Sequence, residues 1–528
     1  MKREFIFILI LLFLFISVYG TESPYVSGEL LIQLKNNVDN ALETLSEDFN
    51  YFSLKPVKLL SRRMNIWLFE FSSGRISDED VLISVKNHPL VREAQFNHFV
   101  EEREIFPDDP SFDLQWGLHN TGQTGGLFDA DVDAPEAWDI TTGGVTILGD
   151  TLIVAIIDGG CDLNHGDLSL WKNYEEIPGN GIDDDENGYI DDYDGWNAYN
   201  STGNIPSHSH GTHVSGIAGA VGNNTLGVSG VNWNAKVMPI AGSSGTESIV
   251  VEAYGYVLEM RSIYNETNGE HGAFVVATNA SFGVNYGNPA NFPLWCAIYD
   301  SLGIIGVLST GATMNISVNV DEVGDMPTAC DSDYLITVTN TTSTDEKNSS
   351  AAWGLVTIDL GAPGTSIYST NYNNSYSYKT GTSMSTPHVT GAIALLFSAA
   401  SEELLEQYQQ EPAEVALLMK DYILEGVDVI AALDTITVSG GRLNLYNSLQ
   451  LMLNPSSNDE RIYRVSLTLR NYPNPFNPIT TISYDLPVNI ANPVIEIFNI
   501  KGQKIRQFSI FNIQSSIVWD GTDENNQP

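Results

Sequence analysis

The sequence predicts an α/β protein built on an open parallel sheet flanked by helices, preceded by a small α+β unit and followed by a β-sandwich. Three observations carry this expectation. Leu152–Ile157 (LIVAII) is an unbroken apolar run, as in a strand buried on both faces. From Phe106 to about Leu453 such strands alternate with helices rich in small residues, the pattern of a parallel sheet covered on its faces. Beyond a polar, turn-rich stretch the chain changes to short strands joined by turns. At 528 residues it is also too long for one hydrophobic core.

Taken in order, residues 1–20 read as a secretory signal peptide. Lys2 and Arg3 are followed by the apolar run Phe5–Val18 and then by Val18-Tyr-Gly20, which offers small residues for cleavage. The run is too short to span a bilayer, so export without stable membrane insertion is predicted. Residues 21–105 form the α+β unit: strands at Glu29–Lys35, Asn65–Phe71 and Val91–Val100, and a helix at Asp78–Lys86. Residues 106–453 form the main domain, with helices at His213–Val221, Trp295–Leu302, Pro387–Ala399 and Val415–Leu424. A linker follows at 454–465, beginning Asn-Pro-Ser-Ser-Asn-Asp-Glu. Residues 466–528 hold strands at Ile479–Leu486, Pro493–Phe498 and Ile517–Trp519, and no internal repeat governs the architecture.

Charge narrows the partners. Asp and Glu total 66 against 24 Lys and Arg, a formal net charge of −42. Such a surface repels nucleic acid and anionic membranes, and it suits salty or extracellular water. Three cysteines, Cys161, Cys296 and Cys330, make no disulfide framework and leave at least one thiol unpaired within the chain. Cys296 and Cys330 are candidates for a bridge whose geometry spacing alone does not fix.

Three segments carry chemistry. Val154-Ala-Ile-Ile-Asp158-Gly-Gly160 puts an acid at the carboxyl end of a buried strand. His210-Gly-Thr-His213-Val-Ser-Gly216 opens a helix with a histidine, and Gly381-Thr-Ser383-Met-Ser-Thr-Pro387-His388 places a serine where a tight turn enters a helix. Parallel α/β sheets build their sites beyond the carboxyl ends of their strands. Acyl transfer needs a hydroxyl nucleophile, a base to take its proton and a carboxylate to orient the base. His213 stands three residues after His210, not the four that helix-borne metal pairs use, so it reads as a packing residue. Pro387 suits an early helical position, where a missing N–H does little harm.

These segments resemble the active-site blocks of the subtilisin-like (S8) peptidase family, across roughly Pro107–Leu449. The Asp–His–Ser chain order is the one known for subtilisin. The resemblance implies that Asp158 orients the histidine, that His210 is the general base and then acid, and that Ser383 is the nucleophile. It implies an oxyanion asparagine beside the Ser383 N–H. Asn315 takes that role if the preceding strand starts after Gly306, and Ala312 if it starts after Gly303; a helix over Trp295–Leu302 favours Asn315. Substrate backbone would pair with Ser281, Phe282 and Gly283 and with the stretch around Ser243-Ser-Gly245. The unit at 21–105, between signal and protease, would be a pro-segment acting as folding aid and intramolecular inhibitor. A lipase or esterase would need a Gly-x-Ser-x-Gly elbow, which Thr382-Ser383-Met384 does not supply.

Two further patterns remain. Asp183, Asp185, Asn187, Asp191 and Asp194 fall at positions 1, 3, 5, 9 and 12 of an EF-hand-like loop, with Gly188 at 6 and Ile190 at 8. They predict a structural Ca2+ site, in which an Asp stands where that loop normally closes with Glu. The C-terminal stretches Asn471-Tyr-Pro-Asn-Pro-Phe-Asn-Pro478, Ile482-Ser-Tyr-Asp-Leu-Pro487 and Trp519-Asp-Gly-Thr522 resemble an Ig-like, type 9 secretion sorting domain, apparently cut short. The resemblances together imply a secreted or cell-surface serine endopeptidase acting on protein or peptide substrates and engaging secretion machinery through its C-terminal domain.

Overall fold

The computed structural model describes residues 25–35, 40–72, 74, 76–98, 105–454, 468–472, 479–485, 494–499, 501, 504–509 and 514–522, in two compact units, 1–103 and 104–528. The predicted signal peptide at 1–20, the predicted linker after residue 454 and the stretch 473–478 lie outside the described residues.

The N-terminal unit is a four-stranded antiparallel sheet in the order Lys55–Ser61, Ile66–Glu70, Tyr25–Leu34, Val91–His98, joined by helices Ala41–Asp48 and Asp78–Lys86. Leu30, Ile32 and Leu34 alternate inward from one strand to meet Phe69, Phe96, Val81 and Val85. The second helix starts at Ser77, whose hydroxyl accepts the Asp80 N–H at 3.2 Å. Its first turn carries Asp78, Glu79 and Asp80 and its last turn Lys86, charges that suit the helix dipole.

The main unit is organised by a nine-stranded sheet. Its order is Asp428–Val429, Gly441–Arg442, Leu360–Pro363, Leu335–Thr341, Leu308–Ala312, Val275–Ala280, Ile153–Asp158, Lys236–Ala241, Trp196–Asn197. All neighbours run parallel except the first pair. Strand Ile153–Asp158 shows why an unbroken apolar run was needed. Val154 and Ile156 enter one core with helices Ser209–Gly219, Thr382–Ala399 and Pro412–Glu425. Ile153, Ala155 and Ile157 enter the opposite core with helices Glu247–Glu266 and Pro293–Ile304. The strand order reverses at Ile153–Asp158, which has Lys236–Ala241 on one side and Val275–Ala280 on the other, and this opens the carboxyl edge where the three sequence motifs converge.

Helix Thr382–Ala399 passes through the middle of the unit and is buried along most of its length. Small residues permit this. A Cβ on Gly391 would lie 2.7 Å from Val231 Cβ and 2.8 Å from the Ala218 carbonyl oxygen, so glycine lets this helix meet helix Ser209–Gly219. Thr390 shares a 2.7 Å hydrogen bond with Thr310 of the sheet.

Cys296 and Cys330 form a disulfide, and Cys161 is free and buried. Burial pushes the Cys161 thiol up to about 12, which makes it an inert core residue. The C-terminal strands form a three-stranded sheet, Thr468–Tyr472, Thr480–Asp485 and Gln514–Trp519, and a two-stranded one, Val494–Phe498 with Lys504–Ser509. Ile482 and Ile517 of the first share an apolar cluster with Ile495, Ile497 and Phe508 of the second, as two facing sheets require. Among the described residues no helix is long and apolar enough to cross a membrane.

Candidate active site

Asp158 ends its strand buried, and both its oxygens are engaged by histidines. His210 Nδ1 lies 2.7 Å from Oδ2, and His208 Nδ1 lies 3.2 Å from Oδ1, which also accepts the Gly159 N–H at 2.7 Å. Burial pushes this carboxyl up, but the two histidine hydrogen bonds and the His210 charge outweigh it and hold the group below the ordinary aspartate range. Glycines bring the pieces together. A Cβ on Gly211 would lie 2.0 Å from the Gly160 carbonyl oxygen and 2.9 Å from Asp158 Cβ. The His-Gly pair is therefore what allows the helix start to press onto the strand end.

His208 had no place among the sequence-level candidates. It caps helix Ser209–Gly219, and its Nδ1 also lies 3.4 Å from the Gly211 N–H. One nitrogen cannot give a proton to Asp158 and accept one from Gly211 at once; the shorter, charge-assisted carboxylate contact takes precedence. The Asp158 hydrogen bond raises the His208 pKa against the opposing effect of burial. His213 is fully buried with Nε2 near the carbonyls of Ile367 (3.2 Å) and Ser377 (3.0 Å). Burial pushes its imidazole down to about 3, which fits the packing role read from the spacing.

Ser383 is the second residue of helix Thr382–Ala399 and is half-buried. Its hydroxyl donates to the Ser281 carbonyl at 3.2 Å; among the described residues no hydrogen bond joins it to His210. The helix starts five residues earlier than the sequence predicts, so Pro387 sits at its sixth position, where the missing N–H does have a consequence. Residue 387 would normally donate to the carbonyl of residue 383. The Ser281 hydroxyl takes over that bond at 2.9 Å. Ser281 thus bonds Ser383 twice, through its side chain and through its backbone, a reciprocal link that neither motif reveals alone.

The strand before the turn starts after Gly306, the register in which Asn315 stands at the turn. Strand Leu308–Ala312 ends with Ala312 nearly buried, and Asn315 follows three residues later. Asn315 Oδ1 accepts the Thr382 N–H at 3.0 Å, which leaves its amide nitrogen as a donor beside Ser383. A cavity of about 180 Å3 brings together Asn315, Ser383, Ser281, Phe282 and Gly283. Asp325 also lines it, and nothing in the sequence motifs marked that residue. The other predicted edge, Ser243-Ser-Gly245, is tied to Tyr199, whose hydroxyl accepts the Ser243 N–H at 2.9 Å.

The acidic loop folds differently from an EF-hand. Asp183 and Asp185 gather with Glu176, their carboxylate oxygens lying within 4.8 Å of one another. Asn187 is buried beside them and donates to Asp185 at 3.1 Å and to Asp192 at 3.0 Å. Asp191 and Asp194 do not join the cluster. Asp191 accepts the N–H groups of Asn180 and Gly181, and Asp194 pairs with Lys172. Asp191 has a φ of 56° and starts a tight turn over Asp192–Asp194. Burial, followed by the Asp185 charge, pushes the Glu176 carboxyl up despite its backbone N–H bonds. Burial and the neighbouring Asp183 do the same to Asp185. Crowded oxygens that resist ionisation are a donor set that fits a hard divalent cation.

Residues 149–431, which include Asp158, His210, Asn315 and Ser383, match the subtilase family. The chain is 31% identical over 322 residues to subtilisin-like protease 1 of Plasmodium berghei, covering 56% of this chain and 48% of that protein. It is 30% identical over 385 residues to an extracellular protease of Xanthomonas campestris, covering 66% of this chain and 58% of the relative. A thermophilic serine proteinase of a Bacillus species is 26% identical over 444 residues, 82% of this chain and 90% of that one. The chain thus spans about half the length of the first of these relatives. The matched stretch takes in the strand end, the helix start and the serine turn described above, and on that match the chain belongs to the subtilase family.

Proposed function

We propose that this subtilase is a secreted serine endopeptidase that cleaves peptide bonds through Asp158, His210 and Ser383. The observation that carries the reading is the 2.7 Å contact between His210 Nδ1 and a buried Asp158 held below the ordinary aspartate range. An ionised Asp158 keeps the proton on Nδ1, so Nε2 is free to accept the Ser383 proton. The 3.2 Å bond from Ser383 to the Ser281 carbonyl is long for a hydroxyl donor, and the reaction requires Ser383 to exchange it for a bond to His210.

Ser383 Oγ then attacks the substrate carbonyl carbon while His210 takes its proton. The oxygen that gains charge is met by the Asn315 amide and by the Ser383 N–H at the start of a long helix, whose dipole favours an anion. His210 returns the proton to the departing amine, an acyl-enzyme remains on Ser383, and water releases it by the same steps reversed. Half-buried Phe282 and exposed Gly283, following the buried Ser281, offer an edge for pairing with an extended substrate.

The finer features belong to the same reading. Glu176, Asp183 and Asp185 would hold a calcium ion, which would offset their mutual repulsion and fix the loop. The unit at 21–105 acts as inhibitory pro-segment, and the C-terminal strands serve sorting during secretion. The test is casein hydrolysis by purified protein, with labelling by a fluorophosphonate. Wild type should hydrolyse and be labelled, and Ser383→Ala should do neither. Equal hydrolysis by Ser383→Ala would overturn the assignment.

A further inference from the structure

The cavity beside Ser383 contains a carboxylate that catalysis does not use. Asp325 is 1% exposed, yet it lines the same cavity as Ser383 and Asn315. A two-residue ribbon pairs Asp325 with Asn285 and Met326 with Val284, tying this wall to the Ser281–Gly283 edge. Gly283 makes that approach feasible, because a Cβ there would lie 1.8 Å from the Met326 carbonyl oxygen.

The two oxygens of Asp325 differ. Oδ2 accepts three hydrogen bonds: from Thr313 Oγ1 at 2.9 Å, the Met314 N–H at 3.0 Å and Thr328 Oγ1 at 2.8 Å. Oδ1 accepts none among the described residues. Tying the loop together accounts for Oδ2 alone. Among the described residues no cationic side chain offsets the group either: burial pushes its carboxyl up to about 6, opposed by the threonines and the Met314 N–H. Phe282, Met314, Ile316 and Met326 supply apolar walls. A buried carboxylate with a bare oxygen, lining a cavity with apolar walls beside a nucleophile, suits a side chain with an apolar stem and a cationic tip. The chain's net charge of −42 favours approach of the same ligand class.

We propose that Asp325 is a specificity-determining residue that selects substrates with Lys or Arg immediately before the scissile bond, the cation pairing with Oδ1. The inference rests on the serine endopeptidase reading and names the substrate class for it. A charge-assisted hydrogen bond in a buried site is expected to favour Lys or Arg over Leu about 10- to 100-fold in kcat/KM.

The test uses fluorogenic peptides identical except for Lys, Arg or Leu at that position. Enzyme concentration is fixed by fluorophosphonate titration of Ser383. Wild type should prefer Lys and Arg, and Asp325→Asn should shrink the ratio to Leu at least tenfold. The asparagine carbonyl can still accept the three bonds now made to Oδ2. If Asp325→Asn does not fold, the sites that wild type cuts in a denatured protein mixture, read by mass spectrometry, decide the matter. Labelled, active enzyme that prefers Leu, or whose Lys-to-Leu ratio is unchanged by Asp325→Asn, overturns the specificity role and leaves the protease standing. Protein that is neither labelled nor active overturns both.

Discussion

Removing the Ser281 hydroxyl should destabilise the main unit through the proline one turn away on another element. Pro387 has no N–H to give the Ser383 carbonyl, and Ser281 Oγ supplies that bond at 2.9 Å. The same oxygen accepts the Asn279 amide at 3.0 Å inside the core. Ser281→Ala therefore strands an acceptor and a donor, and each unsatisfied group costs about 1–3 kcal/mol where water cannot reach it. The Ser383 carbonyl is only partly buried, so the lower half of that range, about 2 kcal/mol in all, is the expected loss. Pro387→Ala restores a backbone N–H that can donate to the Ser383 carbonyl. In that background Ser281→Ala should cost about 1 kcal/mol less. The assay is urea unfolding followed by tryptophan fluorescence, with Ser383→Ala in all four proteins of the cycle so that autolysis does not contribute. Additivity within about 0.5 kcal/mol would refute the idea that Ser281 substitutes for the missing helix bond.

Asn315→Ala should lower kcat with little change in KM, because the amide acts where charge develops. The magnitude, about 10²–10³, is carried over from subtilisin's own oxyanion asparagine. Asn315→Asp separates the two roles, keeping an acceptor for the Thr382 N–H while removing the donor, and it should lose kcat as well; near-wild-type kcat in either variant rejects the assignment. His208 gives a signed pH effect. Its folded pKa is raised by Asp158, so its contribution to stability is fully present below the unfolded value of about 6.5 and is lost as pH rises through the folded value. The stability difference between wild type and His208→Gln should shrink as pH rises above about 6.5, and a difference that grows as pH rises contradicts the pairing. A chelator should shorten the thermal inactivation half-life of wild type but not of Glu176→Gln, whereas Asp194→Asn should respond like wild type; an Asp194→Asn that has lost its chelator response would restore the EF-hand ligand set.

What the sequence made legible was local. Leu152–Ile157 announces a doubly buried strand because every side chain must be apolar when both faces are covered, and Gly159, Gly160 and Gly211 announce close backbone approaches. Helix Glu247–Glu266 carries its buried Val250, Ala253, Tyr254, Val257 and Met260 at helical spacing, a pattern that is local to the sequence as well. The missed site residues have a different cause. Glu176 stands outside the loop pattern, His208 lies in the extended residue before a helix, and Asp325 comes from a ribbon after the oxyanion turn. Each reaches its partner through the fold, and spacing reports only geometry within one element.

The EF-hand expectation failed on the same ground. Positions 1, 3 and 5 are close in sequence and stay together, with Asn187 donating to Asp185. Positions 9 and 12 return to the ion only if the chain enters a helix after position 9, and here Asp191 turns left-handed into a tight turn. The third carboxylate must then come from upstream, and Glu176 supplies it, held by the N–H groups of Asp184 and Asp191 at 2.6 and 3.0 Å. Those bonds fix the loop around the acids, so a cation there would act on the stability of this surface and not on the reaction at Ser383. Chelation should accordingly change the lifetime of the enzyme before it changes kcat.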